Sequence, residues 1–214
     1  SSPDVALDII PTDDGGYLFC GNSDQRRILW QTDSLGNDLR KAPFGEKGLD
    51  AFTSVIEDND GNFLAVGDGM VMTKIDANGN ELWTRNKPTE RTSAYRVVKS
   101  LPNGDFLVGG FFTARDKGRA LTILAKMDSE GRAYWAETYG AGIINAIDTD
   151  AEGNIWVAGN ASYAAPVVLK INPDGKAIWE GVYDEDQLGS AHSITVDDEK
   201  GAVVFTSGGF FKIG

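Results

Sequence analysis

Five times along this chain a turn glycine is followed six residues later by a second small residue. The turn glycines are Gly15, Gly61, Gly104, Gly153 and Gly201, and the small residues are Gly21, Gly67, Gly110, Gly159 and Ser207. Successive turn glycines stand 46, 43, 49 and 48 residues apart. Chance hairpins would not hold both offsets through five copies. A period of this size marks a repeat architecture, in which each unit buries its apolar face on its neighbours. The segments between the paired positions are apolar throughout: Tyr17 to Cys20, Phe63 to Val66, Phe106 to Val108, Ile155 to Ala158 and Val203 to Phe205. A strand that is apolar on both faces needs cover on both sides. Sheets stacked face to face supply it.

A second motif completes each unit. Lys74-Ile75-Asp76-Ala77-Asn78-Gly79-Asn80-Glu81-Leu82-Trp83 reads as strand, turn and strand. It recurs from Lys126 through Gly131 to Trp135 and from Lys170 through Gly175 to Trp179. Gln31 to Gly36 is a weaker copy with Arg40 in place of Trp, and Lys212-Ile213-Gly214 begins a fifth. Asp-Gly and Asn-Gly pairs suit two-residue hairpin turns, which need positive φ. No segment of ten or more residues carries helical periodicity. Each unit therefore reads as four short strands, a to d in order. The expected fold is all-β: a β-propeller of about five four-stranded antiparallel blades, the last lacking its outer strand. A β-sandwich pair is the alternative; a β-helix would show a shorter period. The repeats run about 4–44, 48–88, 92–140, 141–184 and 188–214, within one propeller domain spanning 1–214.

The recurring Lys-Ile-Asp-x-x-Gly-x-x-x-Trp resembles the tryptophan-docking repeat of quinoprotein-type propellers. It is still more similar to the Asp-Gly-Gly-rich repeats of secreted and surface propellers in Gram-negative bacteria, Bacteroidota especially. The resemblance covers nearly the whole chain. It implies that Trp83, Trp135 and Trp179 staple each blade to its neighbour, and it makes Arg40 the mark of an irregular first blade. The turn from Asp76 to Gly79 is one residue shorter than the quinoprotein turn, and no cofactor is expected. The resemblance also implies an extracytoplasmic location, at the cell surface, outer membrane or periplasm. Ser1-Ser2 would suit the residues after a lipid-bearing cysteine.

Bulk properties narrow the function classes. A net charge of −12 argues against a non-specific nucleic-acid surface and against docking on anionic lipid. The single cysteine, Cys20, excludes an intrachain disulfide, and no run approaches the ~18 apolar residues of a membrane helix. Cys20 sits inside a b strand and reads as a small apolar residue. His192 is the only histidine, so a triad or multi-histidine metal site would rest on it alone. It aligns with Phe52 and Tyr95, a packing position on the inner ring. Asp58 to Asn62 and Asp148 to Asn154 faintly resemble calcium loops, but they lack the ~12-residue length and the closing bidentate Glu. No metal site is expected.

The a–b and c–d turns are short and uniform, whereas the b–c and d–a loops differ in every repeat. Binding residues favour irregular loops on a rigid scaffold, which points to the b–c/d–a face. The third b–c loop is the most distinctive: Phe111, Phe112, Arg115, Asp116, Lys117 and Arg119 place cations and aromatics on an acidic protein. With Arg26, Arg27 and Arg91 it would form a basic patch for an acidic protein or a carboxylate-bearing glycan, and Tyr163 would stack on a sugar. The expectation is a non-enzymatic propeller that binds a protein or glycan at the bacterial surface. Two alternatives stand beside it. One is a carbohydrate-active enzyme with a carboxylate pair in the central funnel. The other is a structural subunit of an outer-membrane or surface complex.

Overall fold

The structure, a computed structural model, describes residues 4–48, 50–86, 93–113, 120–161, 165–183, 188–197 and 201–214. Among these residues there are nineteen antiparallel strands and no helix. The strands form four sheets of four consecutive strands and one of three. The fold is thus all-β and propeller-like. The chain divides into two compact units, Ser1–Gly104 and Asp105–Gly214.

In the first unit, β1 (Val5–Pro11), β2 (Tyr17–Ser23), β3 (Arg26–Thr32) and β4 (Asp38–Phe44) form one sheet. β5 (Phe52–Glu57), β6 (Phe63–Gly67), β7 (Val71–Ile75) and β8 (Glu81–Asn86) form the next, and β9 (Ser93–Ser100) follows. The two sheets stack face to face. Leu18, Cys20 and Leu29, with Ile10 and Phe44, meet Phe52, Val55, Phe63, Ala65, Val71 and Ile75 in one buried cluster. Every residue of β6 and β7 is buried, as expected for strands covered on both faces. Burial pushes the Cys20 thiol far above its usual range, and the thiol donates to the carbonyl of Phe52.

The second unit holds β10 (Phe106–Thr113), β11 (Ala120–Met127) and β12 (Ala133–Ala141). A sheet of β13 (Ile143–Thr149), β14 (Ile155–Asn160), β15 (Pro166–Ile171) and β16 (Ala177–Val182) follows. The last sheet is β17 (Ala191–Asp197), β18 (Gly201–Thr206) and β19 (Gly209–Ile213). Ala146, Trp156, Ala158 and Val168 pack on Ala191, Ile194, Ala202 and Val204.

The turns differ from the expected two-residue type. Asp58 N–H bonds to Asn62 O, and Gly61 N–H to Asp58 O, so three residues lie in the loop and Gly61 takes φ +73°. Asp58 Oδ1 accepts the N–H groups of Asp60 and Asn62. A three-residue loop presents both donors to the carboxylate, which a two-residue turn cannot do. The turns at Asp33, Asp76, Asp128, Asp150 and Asn172 repeat the same backbone closure.

The second glycine of each repeat answers a different constraint. The inner strand bulges opposite it, at Phe52/Ser54, Ala6/Asp8 and Ile144/Ala146. The bulge presses a carbonyl onto the glycine: a Cβ at Gly67 would stand 2.0 Å from Ala51 O, and one at Gly21 1.9 Å from Val5 O. In the last sheet this register belongs to Thr206, opposite Ala191, and not to Ser207.

The tryptophan staple is seen at Trp135, whereas Trp83 Nε1 is buried without a hydrogen-bond partner among the described residues and Trp179 lies beside Trp156 of its own sheet. Trp135 Nε1 donates to Pro173 O at 3.1 Å, and the indole lies flat against Gly175 of the next sheet. Arg40 acts in the same way. Its guanidinium covers Gly79 and donates to Gly79 O at 2.9 Å. Arg40 is a substitute staple and not a sign of irregularity.

His192 departs from expectation as well. It is exposed and sits at the bulge between Ala191 and Ser193, in the position of Thr53 and Asn145 rather than Phe52.

Two measurements test these packing roles. Gly67→Ala is expected to cost about 3 kcal/mol by overpacking. Gly36→Ala, which has open space and only a positive φ to strain, is expected to cost about 1 kcal/mol. Denaturant titration reads both. Arg40→Ala is expected to lose about 2 kcal/mol, whereas Arg40→Trp retains the melting temperature because it restores the staple used at Trp135.

Candidate functional site

Of the residues selected on the b–c/d–a face, four are described. Arg91, Arg115, Asp116, Lys117, Arg119 and Tyr163 lie outside the described residues. Arg26 and Arg27 open β3 in the first unit, and Phe111 and Phe112 lie on β10 in the second. Arg27 is engaged structurally. Its Nη2 donates to Asp50 Oδ2 at 2.7 Å and to Asp68 O at 2.9 Å, tying the first sheet to the loop that enters the second. Arg26 is half-buried, as are Phe111 and Phe112, which pair with Thr122 and Leu121.

A different arrangement emerges at the a–b turn of the β13–β16 sheet. Asp150, Ala151, Glu152, Trp156 and Lys170 line a cavity of about 230 Å³ together with Val196, Asp197 and Gly201 of the β17–β19 sheet. Hairpin chemistry places the first carboxylate. Gly153 takes φ +80°, the loop closes, and Asp150 Oδ1 accepts Asn154 N–H at 2.8 Å. Its other oxygen accepts Asn154 Nδ2 at 3.0 Å, Trp156 Nε1 at 3.2 Å and Lys170 Nζ at 3.0 Å. The Lys170 ammonium also lies over the Trp156 ring, 4.8 Å from its centroid. Asn154 Nδ2 reaches Glu152 Oε2 as well, at 3.1 Å, so one amide holds both carboxylates.

The electrostatics follow from these donors. Burial pushes Asp150 up, but Asn154, Lys170 and Trp156 outweigh it and hold the carboxyl down at about 2. Asp150 is thus a fixed negative charge at any physiological pH. Glu152 is exposed at the cavity rim. An ammonium has three donors, so Lys170 keeps hydrogen-bonding capacity beyond its bond to Asp150.

The same turn in the second sheet lacks these features. Asp58 there pairs with Lys74 at 2.8 Å, and both side chains are largely buried. Leu64 holds the register that Trp156 holds in the fourth sheet. Beside it, burial and the carboxylates of Asp13, Asp14 and Asp58 push Glu57 up, although Asp13 N–H donates to it. Among the described residues, no group of three or more His, Cys, Asp or Glu is placed to hold a metal ion. Likewise, no helix among them is long and apolar enough to cross a membrane.

Comparison with known proteins places the fold. No protein-family model matches the chain, and no curated protein matches its sequence. Among solved structures, a protein of unknown function from Bacteroides caccae matches 95% of this chain and 71% of its own, with a TM-score of 0.67 and 14% identity. A proposed gluconolactonase matches 96% of this chain and 72% of its own, with a TM-score of 0.55 and 15% identity. At these identities the likeness shows the fold alone. It nevertheless corrects the expectation of a non-enzymatic chain. A protein proposed to be a gluconolactonase shares this fold over 96% of the present chain, and the Asp150 cavity contains groups able to do chemistry.

Asp150 also makes stability depend on acid. Its carboxyl is depressed on folding, so its contribution is complete above the unfolded value of 3.8 and disappears as pH falls through about 2. Denaturant titrations across that window are expected to show the stability gap between wild type and Asp150→Asn closing as pH falls. A gap that stays constant would contradict the assigned contacts.

Proposed function

We propose that the chain is a hydrolase acting on a sugar-derived ring ester, with the Asp150 cavity as its active site. The observation that carries this reading is the cavity itself: a pair of carboxylates bridged by one amide, an ammonium and an indole around about 230 Å³. The fold likeness to a proposed gluconolactonase supports the same class. The volume suits a single sugar ring, and the indole with its polar surroundings suits a polyhydroxylated one.

Each group has a role in this proposal. Glu152 takes the proton from an attacking water. The water oxygen adds to the ring-ester carbonyl carbon, and the negative charge that develops on the carbonyl oxygen is met by Lys170. The acyl–oxygen bond then breaks, and the proton held by Glu152 passes to the departing ring alkoxide. The product is an open hydroxy acid. Asp150 stays anionic throughout and orients Lys170. Glycoside cleavage is the less suited reaction, because it needs one carboxyl held protonated, and Asp150 is held in the opposite state.

The test is ester hydrolysis followed by base uptake at constant pH, with a panel of sugar lactones and a parallel panel of nitrophenyl glycosides. Lactone turnover above the uncatalysed rate is expected. Glu152→Gln is expected to lower kcat/KM by about a hundredfold to ten-thousandfold at an unchanged melting temperature, since Glu152 is exposed. Absence of lactone turnover, or a Glu152→Gln variant as active as wild type, would refute the assignment.

A further inference from the structure

The Asp150 cavity holds more negative charge than ester hydrolysis needs. Asp150 and Lys170 form an ion pair at 3.0 Å and cancel one another. Glu152, at the rim, takes a hydrogen bond from the Asn154 amide at 3.1 Å. That donor is neutral, so the Glu152 charge is held in place without being cancelled. A third carboxylate, Asp197, lines the cavity from the β17–β19 sheet and is exposed. The hydrolysis steps give Asp197 no part. Among the described residues, the lining thus carries three carboxylates against one ammonium.

This excess decides what can enter. An ionised ligand meets the carboxylates of the lining, and behind them a chain of net charge −12. A wall of one sign concentrates ligands of the opposite sign and repels those of its own. A carboxylate or phosphate on the ligand would lose water beside Glu152 and Asp197, and the one ammonium of the lining is already paired with Asp150. A hydroxyl meets no such penalty. An ammonium gains twice: the field draws it in, and its three N–H groups donate to carboxylate oxygens.

Asp197 is the carboxylate suited to receive it. Glu152 must keep an oxygen for the attacking water, whereas Asp197 has no such duty. A carboxylate accepts about four hydrogen bonds, so Asp197 can take a ligand donor in addition to its interaction within the protein. A ring amino group is close in size to a ring hydroxyl. Exchanging them changes the charge and leaves the fit to a cavity of about 230 Å³ as it was.

We propose that the ring taken by this cavity is an amino sugar in its ammonium form, with Asp197 as the residue that selects it. The reaction rests on the lactone-hydrolase reading, whereas the selectivity rests on the charge of the lining. Neutral rings bind more weakly, and rings bearing a carboxylate or phosphate are excluded. The preference is opposite in sign to the carboxylate-bearing glycan expected of the b–c/d–a loops.

Calorimetric titration with glucosamine, glucose and glucuronate, at a pH where the amine is protonated, reads this selectivity apart from hydrolysis, because none of the three is an ester. Glucosamine is expected to bind about tenfold more tightly than glucose, and glucuronate more weakly than either. The glucosamine margin is expected to shrink as salt rises. Asp197→Asn is expected to remove most of it, and melting curves check that this exposed position leaves the fold intact. Among lactones, the 2-amino ring ester is expected to exceed its hydroxyl counterpart in kcat/KM. Equal binding of the three rings, failure to bind any of them, tighter binding of glucuronate, or a glucosamine margin that survives Asp197→Asn overturns the proposal. Lactone turnover that ignores ring charge also overturns it, while the hydrolase reading stands. A glucosamine preference without lactone turnover does the reverse: it supports the selectivity and refutes the hydrolase.

Discussion

A sheet of four short strands has two apolar faces and no interior of its own. Everything in this protein depends on sheets lying face to face. The demand is most severe on the second strand of each unit. All of β6 and nearly all of β14 is buried, so both faces of those strands need a neighbour. Within each sheet the bulged inner strand leaves no room for a side chain opposite it, and a Cβ at Gly67 or Gly159 would stand about 2.0 Å from a backbone oxygen of that strand. The inner strands then face the usual difficulty of an exposed edge. Neighbouring sheets answer it. Asp8 accepts Val55 N–H, Ser54 accepts Val98 N–H, and Asp148 accepts Val196 N–H. Apolar stacking brings the sheets together, and these bonds fix their registers.

The turns serve the same stacking from the outside. A side-chain oxygen of an aspartate, or of Asn172 in the fourth sheet, caps each c–d turn from within, which gives the neighbouring sheet a firm surface to press on. Trp135 and Arg40 use that surface in unlike ways, one through an indole on Gly175 and the other through a guanidinium on Gly79. What the joint requires is a flat side chain with a donor at its edge. Both residues meet the requirement, and that is why an arginine can stand in a tryptophan repeat.

Most of this architecture is legible in the sequence. The paired glycines, the apolar b strands and the Asp-to-Gly turns reveal the strand order and the sheet-on-sheet burial, because they are local signals repeated in register. Three features are not legible in the same way. The three-residue loop is hidden because Asp-Gly suits either turn, and only the carboxylate's second N–H decides between them. The place of His192 shifts by one residue because a bulge adds a residue that simple alignment does not count. The candidate site lies away from the irregular loops, at one of the uniform turns. Its signal is present nonetheless: Trp156 stands where the other b strands carry Leu18, Leu64, Leu107 or Val203. A single aromatic in an otherwise aliphatic register is a departure, even though its ring also packs in the joint to the last sheet.

That departure also shows how chemistry can arise on so repetitive a scaffold. At Asp58 the aspartate and its lysine are largely buried, and the carboxylate caps a turn. At Asp150 the backbone is the same, and the aspartate still caps its turn. Replacing the aliphatic residue with an indole supplies one more donor to the carboxylate and a ring for the lysine to lie on. The ion pair then borders a cavity, with Glu152 at its rim. The rigidity that stacking demands holds Lys170 oriented, and the donors around Asp150 keep it ionised. Preorganised charge of this kind is the main resource of an active site, and the proposed hydrolase would draw on it through one changed side chain on β14.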